Sequence, residues 1–168
     1  MANYIRVINR AYWPSEDEIS KGINIDEIGA NTITQELKTK DNTLSLWAVE
    51  NPEDVVLAMI SNASRIDDMY TLKIEDDILY AKKLNVVNDH ANSRIKELNE
   101  FHYNIRDLNY KKLADVAGAI IEALREETNL EVFTKKDIIM ILKKAIIEKR
   151  VAIQDLHKKI REEIEKYE

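Results

Sequence analysis

Few residues in this chain combine a reactive type with a suggestive spacing. The tightest grouping is Asp89-His90, followed at a distance by His102 and Asp107. Imidazoles and carboxylates together can hold a divalent metal and activate its bound water, the equipment of a small metal-dependent hydrolase. Asp89, His90 and His102 are therefore the residues such a reading would use. Asp67-Asp68 and Asp76-Asp77 flank a predicted strand, and acids at strand ends can bind magnesium or exchange protons with a substrate. The same residue types also make turns and helix starts, and neither a second base nor a phosphate loop accompanies them. His102 follows Phe101 on an apolar stripe and reads more simply as a boundary residue, and His157 sits beside Lys158 and Lys159 as a surface group.

Other chemistries lack their parts. Three isolated glycines make no phosphate cradle, and no serine sits in a Gly-x-Ser-x-Gly turn. The chain has no cysteine, which excludes thiol catalysis, cysteine zinc sites and disulfides, and fits a reducing cytoplasm. No cofactor is expected. The leaning is toward a protein that binds, without a catalytic step of its own.

The elements that must position these residues can be read from caps and periodicity. Tyr4–Ile8 is an apolar run predicted to be a strand buried on both faces. Ser15 and Glu18 match a capping box, with Gly22 where that short helix would end. Asn31 is expected to cap a second short helix through Leu37. A strand is predicted over Thr43–Glu50, and Trp47 points away from Leu44 and Leu46. It serves either as core or as a partner anchor. Asn51-Pro52-Glu53-Asp54 supplies a cap, a first-turn proline and acids at the positive end of a helix. Tyr70, Leu72 and Ile74 alternate with Thr71 and Lys73, as in a half-buried strand. Strand, helix and strand within this span form a crossover unit, so the two strands run parallel or as near neighbours. Leu84–Val87 is a fourth strand.

After Asn88 the pattern turns helical. Ile95, Leu98, Phe101 or His102, Ile105 and Leu108 suggest one helix; Asn109 caps a second, with Leu113, Ala117, Ile120 and Leu124 inward. Glu126–Glu131 reads as a polar connection. The fold class expected is α+β: a small mixed sheet of three or four strands with short helices, then a layer of three helices, the last long. Residues 1–90 form the sheet part and 91–168 the helical part of one cooperative domain.

The last stretch, Thr134–Glu168, carries the main functional expectation. Thr134 and Asp137 open it, and it contains neither Gly nor Pro. Unbroken, it would reach about 50 Å at ~1.5 Å per residue. Its first half has a broad apolar face; its second narrows to Ile153, Leu156, Ile160, Ile164 and Tyr167, a seam that wants a matching helix. Lys149 interrupts the seam, where a kink or a second helix would fall. The seam residues and Trp47 are thus the expected partner contacts, the surface that covers the seam being a second copy, another protein or the chain's own earlier helices.

Charge shapes the choice of partner. Residues 1–133 carry 15 Lys and Arg against 24 Asp and Glu, while residues 134–168 carry 10 against 7. An acidic body disfavours nucleic acid and suits a basic protein, with the basic last segment as a weaker nucleic-acid candidate. No leader pattern or membrane-length apolar stretch is expected, so the chain reads as soluble and cytoplasmic, with the Ile-, Lys- and Asn-rich composition of an AT-rich bacterium or phage. Antitoxins, immunity proteins and defence accessories share this general build, an analogy that transfers no residue roles.

Overall fold

Alternating side chains on six strands, β1 (Asn3–Ile8), β2 (Leu44–Trp47), β3 (Met69–Glu75), β4 (Asn85–Asn88), β5 (His102–Arg106) and β6 (Leu130–Phe133), build one sheet in the order β4-β5-β2-β1-β3-β6. Every neighbouring pair is antiparallel. The computed structural model describes residues 3–167; Met1, Ala2 and Glu168, which end the stretches named above, lie outside the described residues. The helices are α1 (Glu16–Ser20), α2 (Pro52–Ser61), α3 (Asp76–Ala81), α4 (Tyr110–Leu124), α5 (Lys135–Ile147) and α6 (Lys158–Lys166).

The period-two rule sorts the strands onto two cores. Tyr4, Ile8, Leu44, Leu46, Leu72, Ile74 and Ile105 face the side covered by α1, α3 and α4. Ile5, Trp47 and Phe133 face the opposite side, where α2, α5 and α6 pack. Because both faces are covered over β1 and β3, Thr71 is buried although it faces away from Leu72.

Several local signals act as expected. Ser15 and Glu18 form their capping box, and Gly22 takes a φ of 80° just past α1. Asn51 accepts from the Glu53 amide with Pro52 at the first position of α2, and Asn109 accepts from Lys112. The crossover unit is present: β2 and β3 both run antiparallel to β1, which lies between them, so they are parallel to each other.

The architecture corrects the sequence reading in several places. The sheet has six antiparallel strands, not three or four mixed ones. Residues 102–106, expected in a helix, form β5. Leu98, His102 and Ile105 satisfy a helical spacing by coincidence, while the strand puts His102 and Asn104 on one face and Tyr103 and Ile105 on the other. The polar connection ends in β6, a four-residue edge strand whose central Glu131 and Val132 stay exposed and so show no apolar alternation. The three last helices are not one layer: α4 covers one face, α5 and α6 the other. Strands from beyond residue 90 lie in the same sheet as those before it. Asn31 makes no side-chain cap, and Thr32–Glu36 is a single wide π turn.

The long terminal helix is also broken. Thr134 and Asp137 cap its start as expected, but it ends at Ile147. Lys149 adopts φ 59°, and the amides of Lys149 and Arg150 bond back to Ile146 and Ala145. That pairing closes a Schellman-type end, which normally selects glycine. Arg150 then fixes the new direction, with Nη2 2.9 Å from Asp54 and Nε 2.8 Å from Glu97.

Candidate functional site

The seam residues are distributed by this break. Leu156, Ile160 and Ile164 are buried in the second core, on the chain's own sheet and helices. Ile153 is borderline exposed and Tyr167 is half exposed. The narrow seam on α6 therefore already has its matching surface, and the physical ground for placing a partner there is gone. What stays outside is the opposite side of α5. Met140 and Ile147, two turns apart, are 59% and 80% exposed. Lys143 reaches the Tyr167 carbonyl at 3.1 Å, which brings Tyr167 to the same side, and Lys144 is exposed beside them.

Trp47, Asp89 and His102, drawn from separate sequence arguments, meet in one place. They line a cleft of about 500 Å³ together with Arg6, Ser45 and Asn104. Its walls are Met59 on α2 and the segment from Lys38 to Thr43. The cleft exists because helices cover only part of the second face. α2 lies on β1 and β3 and α5 packs beside β6, which leaves Ser45 and Asn104 to line the cleft.

The cleft floor is a split in the sheet. β1 matches β3 along its whole length and β2 matches β5 likewise, but β1 and β2 pair only at Ile5 and Trp47. Arg6, which alternation places on the side of Tyr4 and Ile8, also lines this opening, its Nη1 donating across it to the Ser45 carbonyl at 3.0 Å. This buried guanidinium was passed over in sequence because the apolar residues around it made Tyr4–Ile8 look like an ordinary core strand. The signal was the charged residue itself, since a lone arginine inside such a run needs a partner.

Arg6 is 9% exposed and its Nε has no hydrogen-bond partner. None of the ion pairs among the described residues includes it. Burial works against its charge, and the field of Glu36 sustains it. Burial in turn pushes the Glu36 carboxyl up, opposed by the Asn9 amide that donates to it and by Arg6. Glu36 thus acts on Arg6 through its field, without an ion pair between them.

The acid and imidazole side of the cleft is fully engaged. Asn104 donates to the Asp89 carboxylate, Arg106 lies 3.3 Å from it, and together they hold its carboxyl below the usual range. His102 Nδ1 bonds the Asp89 main-chain carbonyl. A carbonyl only accepts, so Nδ1 carries the hydrogen and a neutral ring keeps Nε2 as acceptor. The ring stands edge-on to Trp47, centroids 4.9 Å apart. Trp47 is buried, so it forms a wall and not a projecting anchor. His90 is exposed, one residue past this network.

Among the described residues, no three His, Asp or Glu side chains group to hold a metal. The other candidate acids serve local structure: Asp68 accepts from the Lys135 amide at 2.7 Å, Asp67 pairs with Arg65, and Asp76 and Asp77 occupy the first turn of α3. His157 caps α6. No helix among the described residues is long and apolar enough to cross a membrane.

Fold and site together define an α+β domain on a six-stranded antiparallel sheet, with helices packed on both faces and a cleft open on one. Compared with protein-family models, curated proteins and solved structures, the chain finds no match.

Proposed function

We propose that the chain is a non-catalytic protein-binding module whose working surface is the outer side of α5. The observation that carries this reading is the pair Met140 and Ile147 on one stripe, Ile147 being 80% exposed. Tyrosines elsewhere on the surface keep a hydroxyl in water, whereas an isoleucine has no polar handle, and Met140 and Ile147 share one stripe of α5. Lys136, Lys143 and Lys144 surround it. The partner is therefore an acidic surface with an apolar centre on another protein. A symmetric dimer through this patch would set lysine against lysine, and binding to the acidic body of a second copy would be head-to-tail and leave an open chain.

The test uses a photo-crosslinking amino acid at Ile147 in native cells, with the same group at exposed Tyr80 as control. An identified partner bearing an acidic segment, trapped from position 147 alone and lost with Lys143→Glu/Lys144→Glu, supports the proposal. No adduct, the same adducts from both positions, or a nucleic-acid adduct overturns it.

A further inference from the structure

We propose that the cleft between β1 and β2 is a binding site for a small organic anion, a carboxylate or a phosphate ester, recognised by Arg6. This inference is independent of the α5 surface. The features of the molecule that support it begin with Arg6 itself. A guanidinium lies nine-tenths buried at the floor of an open cleft, donates to one main-chain carbonyl, and lacks an ion-pair partner among the described residues. Such a cation is expensive to bury, and proteins retain one where something pairs with it. The planar fork of arginine suits the paired oxygens of carboxylate and phosphate.

The surroundings select the same sign of charge. Lys38 and Lys40 stand on the cleft wall, and with Arg6 they outnumber the two carboxylates that line it, Asp41 and Asp89. The acid on the opposite side, Asp89, is already engaged by Asn104 and Arg106, so its charge is locally matched. This is a cationic spot on a chain whose formal net charge is −6. Trp47 and Met59 supply apolar wall beside it, which favours an anion with an organic body over a bare ion. A cleft of about 500 Å³ holds a molecule of metabolite size.

A purely architectural role for Arg6, tying β2 to β1, makes different predictions, so the two can be separated. The full chain is titrated with phenyl phosphate, benzoate and inorganic phosphate, reading tryptophan fluorescence and the thermal midpoint. Trp47 is in the cleft wall and reports occupancy directly. The expected result is a saturable change and a raised midpoint with phenyl phosphate or benzoate, weaker with inorganic phosphate; whichever organic anion is tighter identifies the head group. Lys38 and Lys40 are exposed, so Lys38→Glu/Lys40→Glu should fold normally and weaken binding by about tenfold. Glu36→Gln removes the negative charge that Arg6 feels and should tighten binding severalfold. Arg6→Met should abolish it, with circular dichroism checking the fold. If Arg6→Met unfolds, the opposite shifts of the other two variants still decide. No saturable change with any of the three anions overturns the proposal, as does binding that Lys38→Glu/Lys40→Glu and Glu36→Gln leave unaltered.

Discussion

Replacing Ile160 with alanine tests whether the last helix is truly satisfied by its own chain. Ile160 is 0% exposed and belongs to the core that α2, α5 and α6 build on the second sheet face. Truncation removes three methyl or methylene groups from a packed site and leaves a cavity, so the loss should be about 3 kcal/mol, within the ~2–5 kcal/mol range of such changes. For a chain of this length each kcal/mol shifts the thermal midpoint by about 2–4 °C, giving a fall of roughly 6–12 °C. The assay is urea and thermal unfolding of both proteins at two concentrations a hundredfold apart, with light scattering for mass. An intramolecular core gives midpoints independent of concentration and an unchanged mass. A midpoint that rises with concentration would place the seam in an interface between chains, and a loss below about 1 kcal/mol would mean the helix is not docked as described. Either result refutes the reasoning.

Other perturbations probe the break and the cleft. Lys149→Gly should stabilise by about 0.5–1 kcal/mol, because φ 59° is strained for lysine and free for glycine; urea midpoints check it. Arg150→Ala should destabilise by about 1–2 kcal/mol, since it leaves Asp54 and Glu97 without their partner at the turn between α5 and α6. Thr134→Ala should lose about 1 kcal/mol with the α5 cap. Asp89 has a lowered folded-state pKa, so it binds its proton less readily folded than unfolded. Its contribution is then complete above the unfolded value, about pH 4, and disappears as pH falls through the folded one. Asp89→Asn should flatten the acid limb of the stability profile and leave its neutral-to-alkaline shape unchanged.

What could be read from sequence was whatever a short segment decides alone. Ser15-Glu18, Asn51-Pro52 and Thr134-Asp137 start their helices because the capping groups lie within one turn. Lys149 was legible as an interruption, although not as a left-handed residue, since nothing local says lysine will accept that conformation. Strands depended on distant partners. β5 matches a helical stripe and a strand equally well until β2 and β4 flank it, and β6 is too short and too exposed to show a period. Which surface covers the seam on α6 was undecided in the sequence for the same reason, as α2 and the sheet face that receive it come from the first half of the chain. Within the cleft, Trp47 and His102 drew notice by type, but that they touch is a product of strand register. Arg6 was the one residue whose oddity was local and still overlooked.

The placement of β1 has a consequence for how the chain is made. β1 takes a central position, and its full set of pairings, Asn3 with Glu75 through Ile8 with Tyr70, is with a strand some sixty residues later. Its other neighbour, β2, offers it a single paired position. A nascent chain therefore carries its own centrepiece unpaired until Glu75 has cleared the exit tunnel. Closing so long a loop is slow, and until it closes the Tyr4–Ile8 segment lacks the strand that pairs with its whole length.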